Sequence, residues 1–173
     1  MRVLLVLILF MLNPLLEERE VVITKKMITV SGQTSLGSFS CDYSKNGLKD
    51  TLYFDYNNVK KELLFEIPVH DFSCGNFLLN KDFKKTIKAD EFPKAEVRVQ
   101  NLKSRHGDYT CDLRVKIVGK NLNFKSLPLK TVPNGLTAEL VLSFNELELS
   151  APKKFGGLIT VQEELHLEFQ LGY

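Results

Sequence analysis

Beyond about residue 20, apolar and polar residues alternate in short runs along most of the chain. A period of two marks strands with one buried face, and it constrains this sequence more than any other feature. Val21-Val22-Ile23 and Met27-Ile28-Thr29-Val30 open the pattern, and Ser31-Gly32 punctuates it. Phe39, Cys41 and Tyr43 then share a face, Thr51 to Tyr56 is rich in strand formers, and Asn57-Asn58 reads as a turn. Leu63, Phe65, Ile67 and Val69 follow in phase. Ala95, Val97 and Val99 alternate with Glu96, Arg98 and Gln100, and a Ser104 to Asp108 turn leads to Cys111, Leu113, Val115 and Ile117. Gly119-Lys120-Asn121 reads as a tight hairpin turn, and Gly156-Gly157 as another turn. Leu136, Ala138, Leu140, Leu142 and Phe144 alternate again. A final run from Ile159 to Leu171 places Ile159, Val161, Leu165, Leu167, Phe169 and Leu171 together.

One segment breaks the rhythm. Leu79, Phe83 and Ile87 recur every fourth residue, which predicts an amphipathic helix over Phe77 to Phe92, capped by Asn80 and ended before Pro93. The expected fold is all-β: about eight antiparallel strands that close into a barrel or stack as a sandwich, with this one inserted helix. Closure into a barrel removes exposed edges. A chain of 173 residues is the size of one such domain, expected over residues 19–173.

Residues 1–18 read as a secretory signal: Arg2 precedes an apolar run from Val3 to Leu12 that Asn13-Pro14 ends. A spanning helix needs about 20 apolar residues, so a periplasmic or secreted destination is expected. An uncleaved helix or a buried first strand is the alternative. Lys plus Arg is 23 against 21 for Asp plus Glu, a balance that argues against a nucleic-acid partner.

No Gly-x-Ser-x-Gly elbow, Walker loop or dinucleotide fingerprint occurs, so no enzyme is expected. A Cys–His pair could still meet in space. His70, His106 and His166 lack metal-ligand spacing, and the phase of His166 is that of the solvated Glu164 and Glu168. His70-Asp71 reads as a surface pair, and Cys111 as an interior unpaired thiol. Glu163 interrupts an apolar face, which predicts a bulge or a position on the rim. Lys81, Lys84, Lys85, Lys88 and Lys153-Lys154 read as solvated, with transient attraction to anionic headgroups as the alternative.

The run Val30 to Cys41, with its Gly-x-Thr-x-x-x-x-Phe-x-Cys form, resembles the opening strands of the YceI-like lipid or polyisoprenoid-binding family, in the form common in the Bacteroidetes. Ile67-Pro68-Val69-His70-Asp71-Phe72-Ser73-Cys74-Gly75-Asn76, continuing into Asn80 to Pro93, is similar to that family's helix and its aromatic-Pro exit. The resemblance covers roughly residues 25–171. It departs where the better-known branch has His-Leu and this chain has Asp82-Phe83, and in the short hairpin Val118 to Leu122.

The resemblance implies an antiparallel lipocalin-like β-barrel of about eight strands with one inserted helix, exported, that encloses a polyisoprenoid or fatty acid and needs no other cofactor. The residues chosen by phase as tube lining are Phe39, Phe65, Ile67, Val97, Val99, Leu113, Val115, Leu140, Leu142, Leu165, Leu167 and Phe169, with Phe83 and Ile87 packing the helix over an opening. Cys41 and Cys74 are expected either to form a disulfide, if the chain is exported, or to remain buried thiols. An interaction module whose barrel is filled by its own side chains would show the same alternation. The sequence carries no signal for oligomeric state.

Overall fold

The computed structural model describes residues 20–54, 62–154, 156 and 159–173. The signal expected over residues 1–18 lies outside the described residues, as do the Asn57-Asn58 turn and Gly157.

The strands are β1 (Glu20–Thr34), β2 (Gly37–Tyr53), β3 (Leu63–Pro68), β4 (Lys94–Arg105), β5 (Asp108–Ile117), β6 (Lys120–Val132), β7 (Gly135–Ser143), β8 (Lys153–Lys154), β9 (Ile159–Thr160) and β10 (Glu164–Gly172). A short 3₁₀ turn, Val69–Asp71, and one helix, α1 (Phe77–Thr86), lie between β3 and β4. Eight strands form one antiparallel sheet in the order β2-β1-β10-β7-β6-β5-β4-β3. It curls into a nearly closed barrel, and β8 and β9 pair separately.

The seam lies between β2 and the β3 end of the sheet. There Asp42 and Ser73 exchange backbone hydrogen bonds of 2.8 and 2.9 Å. Beside them Cys41 and Cys74 are joined in a disulfide 33 residues apart in sequence. One pair of hydrogen bonds and one covalent link therefore hold the edges at this point.

Bulges set which side chains enter the core. In β1 the pairing with β2 shifts between Ile23 and Lys25, so the buried set passes from Ile23 to Lys26, Ile28 and Val30. In β4 a shift between Gln100 and Lys103 moves burial from Val97 and Val99 to Leu102. In β6 Ser126 has a φ of 51°, and in β4 Asn101 has a φ of 50°. The Asp112 carboxylate ties these two bulges together, accepting from Asn101 Nδ2 at 2.7 Å and from Ser126 N at 2.9 Å. Those bonds, Asn101's first, hold the Asp112 carboxyl below its usual range.

Four sequence expectations change. The helix ends at Thr86, with turns to Glu91, and its cap is Asn76, whose side chain accepts from Leu79 N at 2.9 Å. Asn80 lies inside the helix and accepts instead from Cys74 N at 2.7 Å, seating the disulfide. Ser31-Gly32 does not interrupt β1, which pairs with β2 through to Thr34, and a Cβ on Gly32 would lie 2.8 Å from the Phe39 ring. The absence of a side chain there lets that ring lie across the strand. The run from Ile159 to Leu171 is two strands, and the chain bends at Glu163 between them.

Candidate functional site

Helix α1 lies over one end of the barrel, with Leu79 and Phe83 packed against the core and Ile87 buried. Phe83 and Phe72 stack tilted at 5.4 Å, which fixes the helix against the segment after β3. Opposite the helix stand the β1–β2 hairpin and β9. Between them runs a groove of about 450 Å³. Leu36, Phe39, Leu78, Leu79, Phe144 and Val161 line it, with Asp82, Ser38 and Asn76 supplying polar groups. Phe83, Ile87 and Leu165 border both this groove and the barrel interior, so they form the wall between the two spaces.

The interior is nearly filled. A cavity of about 60 Å³ is lined by Ile67, Val97, Leu113, Val115, Leu140 and Leu142 among others. Leu165, Leu167 and Phe169 complete the set of expected lining residues that reach it. Leu113 and Phe169 also border a void of about 10 Å³ at the far end, which Val99 lines. Phe65 borders neither space; it is 2% exposed and packs on Phe169 with ring centroids 5.7 Å apart. Phe39 lies in the groove. The expected set is thus divided among the mouth, the interior and the packing below it.

Sequence reading missed Lys26. It is 4% exposed, its Nζ donates to the Glu66 carbonyl at 3.0 Å, and it lies over the Tyr43 and Phe65 rings at 5.6 and 5.1 Å. β3 ends the order of the sheet among the described residues, and the ammonium crosses from β1 to serve the Glu66 carbonyl at that edge. Burial holds the Lys26 pKa below the ordinary lysine value, with Lys45 adding to the effect and Asp50 and Glu66 opposing it. The unfolded chain therefore binds this proton more tightly than the folded one. Stability from this group should rise as pH climbs toward the ordinary 10.5. A Lys26→Met variant should lack that rise. Urea melts of both proteins between about pH 7 and about pH 10 check it, and parallel pH profiles would sink the idea.

The other singled-out groups fall away from the groove. Cys111 is buried and free, its thiol pushed up to about 12, mainly by burial. His70 Nε2 lies 3.5 Å from Asp90 Oδ1, His106 occupies the β4–β5 turn, and His166 is exposed on β10. Glu163 is exposed at the rim, where its carbonyl accepts from Phe144 N at 2.9 Å. Among the described residues, no three His, Cys, Asp or Glu side chains are grouped to hold a metal ion. The side chains of Lys153 and Lys154 lie outside the described residues.

No protein-family model matches the chain, and no curated protein matches it in sequence. Solved structures do match its shape. A polyisoprenoid-binding domain from Saccharophagus degradans is similar over 89% of this chain and 95% of its own, with a TM-score of 0.55 at 11% identity. Burkholderia cenocepacia BcnA covers 83% of this chain and 94% of its own, with a TM-score of 0.52 at 14% identity. The chain has the YceI-like fold. A mutant Campylobacter jejuni YCEI protein agrees, at a TM-score of 0.51 and 11% identity over 65% of this chain and 71% of its own. In this YceI-like barrel the apolar space open to solvent is the groove at the mouth, because the interior beneath is nearly filled.

Proposed function

We propose that this protein belongs to the YceI-like family and binds a long apolar lipid, a polyisoprenoid or fatty acid, as a non-catalytic carrier. The observation that carries the reading is the groove of about 450 Å³, apolar for most of its wall and separated from the apolar interior by Phe83, Ile87 and Leu165. Ligand pockets fall between about 300 and about 1,000 Å³. Each CH₂ buried there contributes about 0.8 kcal/mol, so a tail needs no specific contact to bind. Asp82, Ser38 and Asn76 at the groove would orient a polar head. The likeness in fold to the polyisoprenoid-binding domain from Saccharophagus degradans supports this ligand class. The Cys41–Cys74 disulfide supports export to the periplasm or beyond, since such bonds persist in oxidising compartments.

The interior cavity of about 60 Å³ favours a second reading, a barrel filled by its own side chains that acts as an interaction module. Native mass spectrometry followed by solvent extraction separates the two. A co-purified lipid of defined mass supports the carrier. A bare protein that also fails to take up added fluorescent fatty acid supports the module. If the carrier reading holds, Thr86→Trp, at a half-buried position on the groove wall, should weaken fatty-acid uptake by about tenfold or more. Unchanged uptake by a folded Trp variant would place the ligand elsewhere.

A further inference from the structure

The groove mouth carries an exposed apolar patch that the packing of the barrel does not use. Leu36, at the β1–β2 hairpin tip, is 77% exposed; Phe77 and Leu78, opening α1, are 77% and 64% exposed. Leu36 and Leu78 line the same groove, so two elements remote in sequence bring large apolar side chains to one rim. On α1, Phe77, Leu78, Lys81 and Lys85 stand at i, i+1, i+4 and i+8, on the face opposite Leu79, Phe83 and Ile87. Lys81 and Lys85 are exposed. Leu78 and Asp82, one turn apart, both line the groove, so the outward stripe carries Phe77 and the two cations, with Leu78 and the one acid at its groove-side edge.

We infer that this face docks on the surface of an anionic phospholipid bilayer, with Phe77, Leu78 and Leu36 entering the headgroup boundary and Lys81 and Lys85 meeting phosphates. Soluble proteins rarely leave large apolar side chains grouped at a rim without a partner. An apolar edge backed by lysines is the arrangement that suits a lipid interface, whereas a purely apolar protein partner would gain nothing from the cations. No helix among the described residues is long and apolar enough to cross a membrane. The contact itself stands on the patch. That it serves to load the groove rests on the carrier reading.

Vesicle co-sedimentation of the whole protein tests the contact, using phosphatidylcholine vesicles and vesicles in which phosphatidylglycerol replaces part of the phosphatidylcholine. The wild type should bind the anionic vesicles, and more weakly at high salt. Phe77→Ser should weaken binding by about tenfold or more. The Lys81→Ala/Lys85→Ala double variant should lose about twenty-fivefold, since each lysine near an anionic surface contributes about fivefold. These three residues do not line the groove, so both variants should keep fatty-acid uptake from solution while losing uptake from vesicles. A wild type that ignores anionic vesicles, or variants that bind them as the wild type does, would overturn the inference and leave the patch to a protein partner. Vesicle binding without any fatty-acid uptake would support the contact and overturn the carrier reading alone.

Discussion

Replacing Cys41 and Cys74 together with alanine should lower the unfolding free energy by about 3–4 kcal/mol, one of the two largest effects expected for this chain. The link closes a loop of 33 residues, and in the chain-entropy account such a loop restricts the unfolded ensemble by about that amount. Both residues are buried, at 0% and 6% exposure, so alanine is the informative replacement, because serine would add buried hydroxyls. The folded state loses something as well. The disulfide stands beside the Asp42–Ser73 bridge, where the sheet's edges meet. Urea denaturation of the variant, and of wild type treated with reductant, measures the effect. A loss below about 1 kcal/mol would mean that the seam holds without its covalent link.

Leu142→Ala should cost a comparable amount, about 3–5 kcal/mol. Leu142 is fully buried on β7 and borders the interior cavity of about 60 Å³, so truncation enlarges a space that the rigid wall cannot collapse. Its neighbour Val141 points outward at 54% exposure, and Val141→Ala should shift stability by about 0.5 kcal/mol or less. An enlarged apolar cavity admits small hydrocarbons, so the Leu142→Ala variant should gain more thermal stability from added benzene than the wild type does. Equal costs for the two substitutions, or no difference in the benzene response, would contradict the packing described here.

The barrel was legible in the sequence because its strands obey a period of two over long stretches. Val97 and Val99 on β4, and Leu113 and Val115 on β5, face inward as their phase requires. What periodicity misses is the bulge. Nothing in Ile23-Thr24-Lys25-Lys26 says which residue is skipped in pairing, and the skip alone turns Lys26 inward. Two lysines in an otherwise apolar strand were the available hint. The helix cap failed for a related reason. Asn76 and Asn80 are both cap-type residues at the start of the periodic run, and their roles divide by partner, Asn76 accepting from Leu79 N and Asn80 from Cys74 N. The groove was the least legible part. Leu36, Leu78, Phe144 and Val161 come from four separate segments, and no local pattern records their convergence.

Strand order has a consequence for the chain as it is being made. β10 lies between β1 and β7, and it follows all the other strands in the sequence. Until Glu164–Gly172 emerges, the β1–β2 hairpin and the meander from β3 to β7 meet across the seam at the Asp42–Ser73 bridge, while β1 and β7 each present a bare edge. β10 then pairs with β1 through Lys25–Ser31 on one side and with β7 through Gly135–Ser143 on the other. It is the keystone of the arch. The ribosome delivers it after every other stone, so the nascent polypeptide must wait, half-built, with two adhesive borders open to strangers.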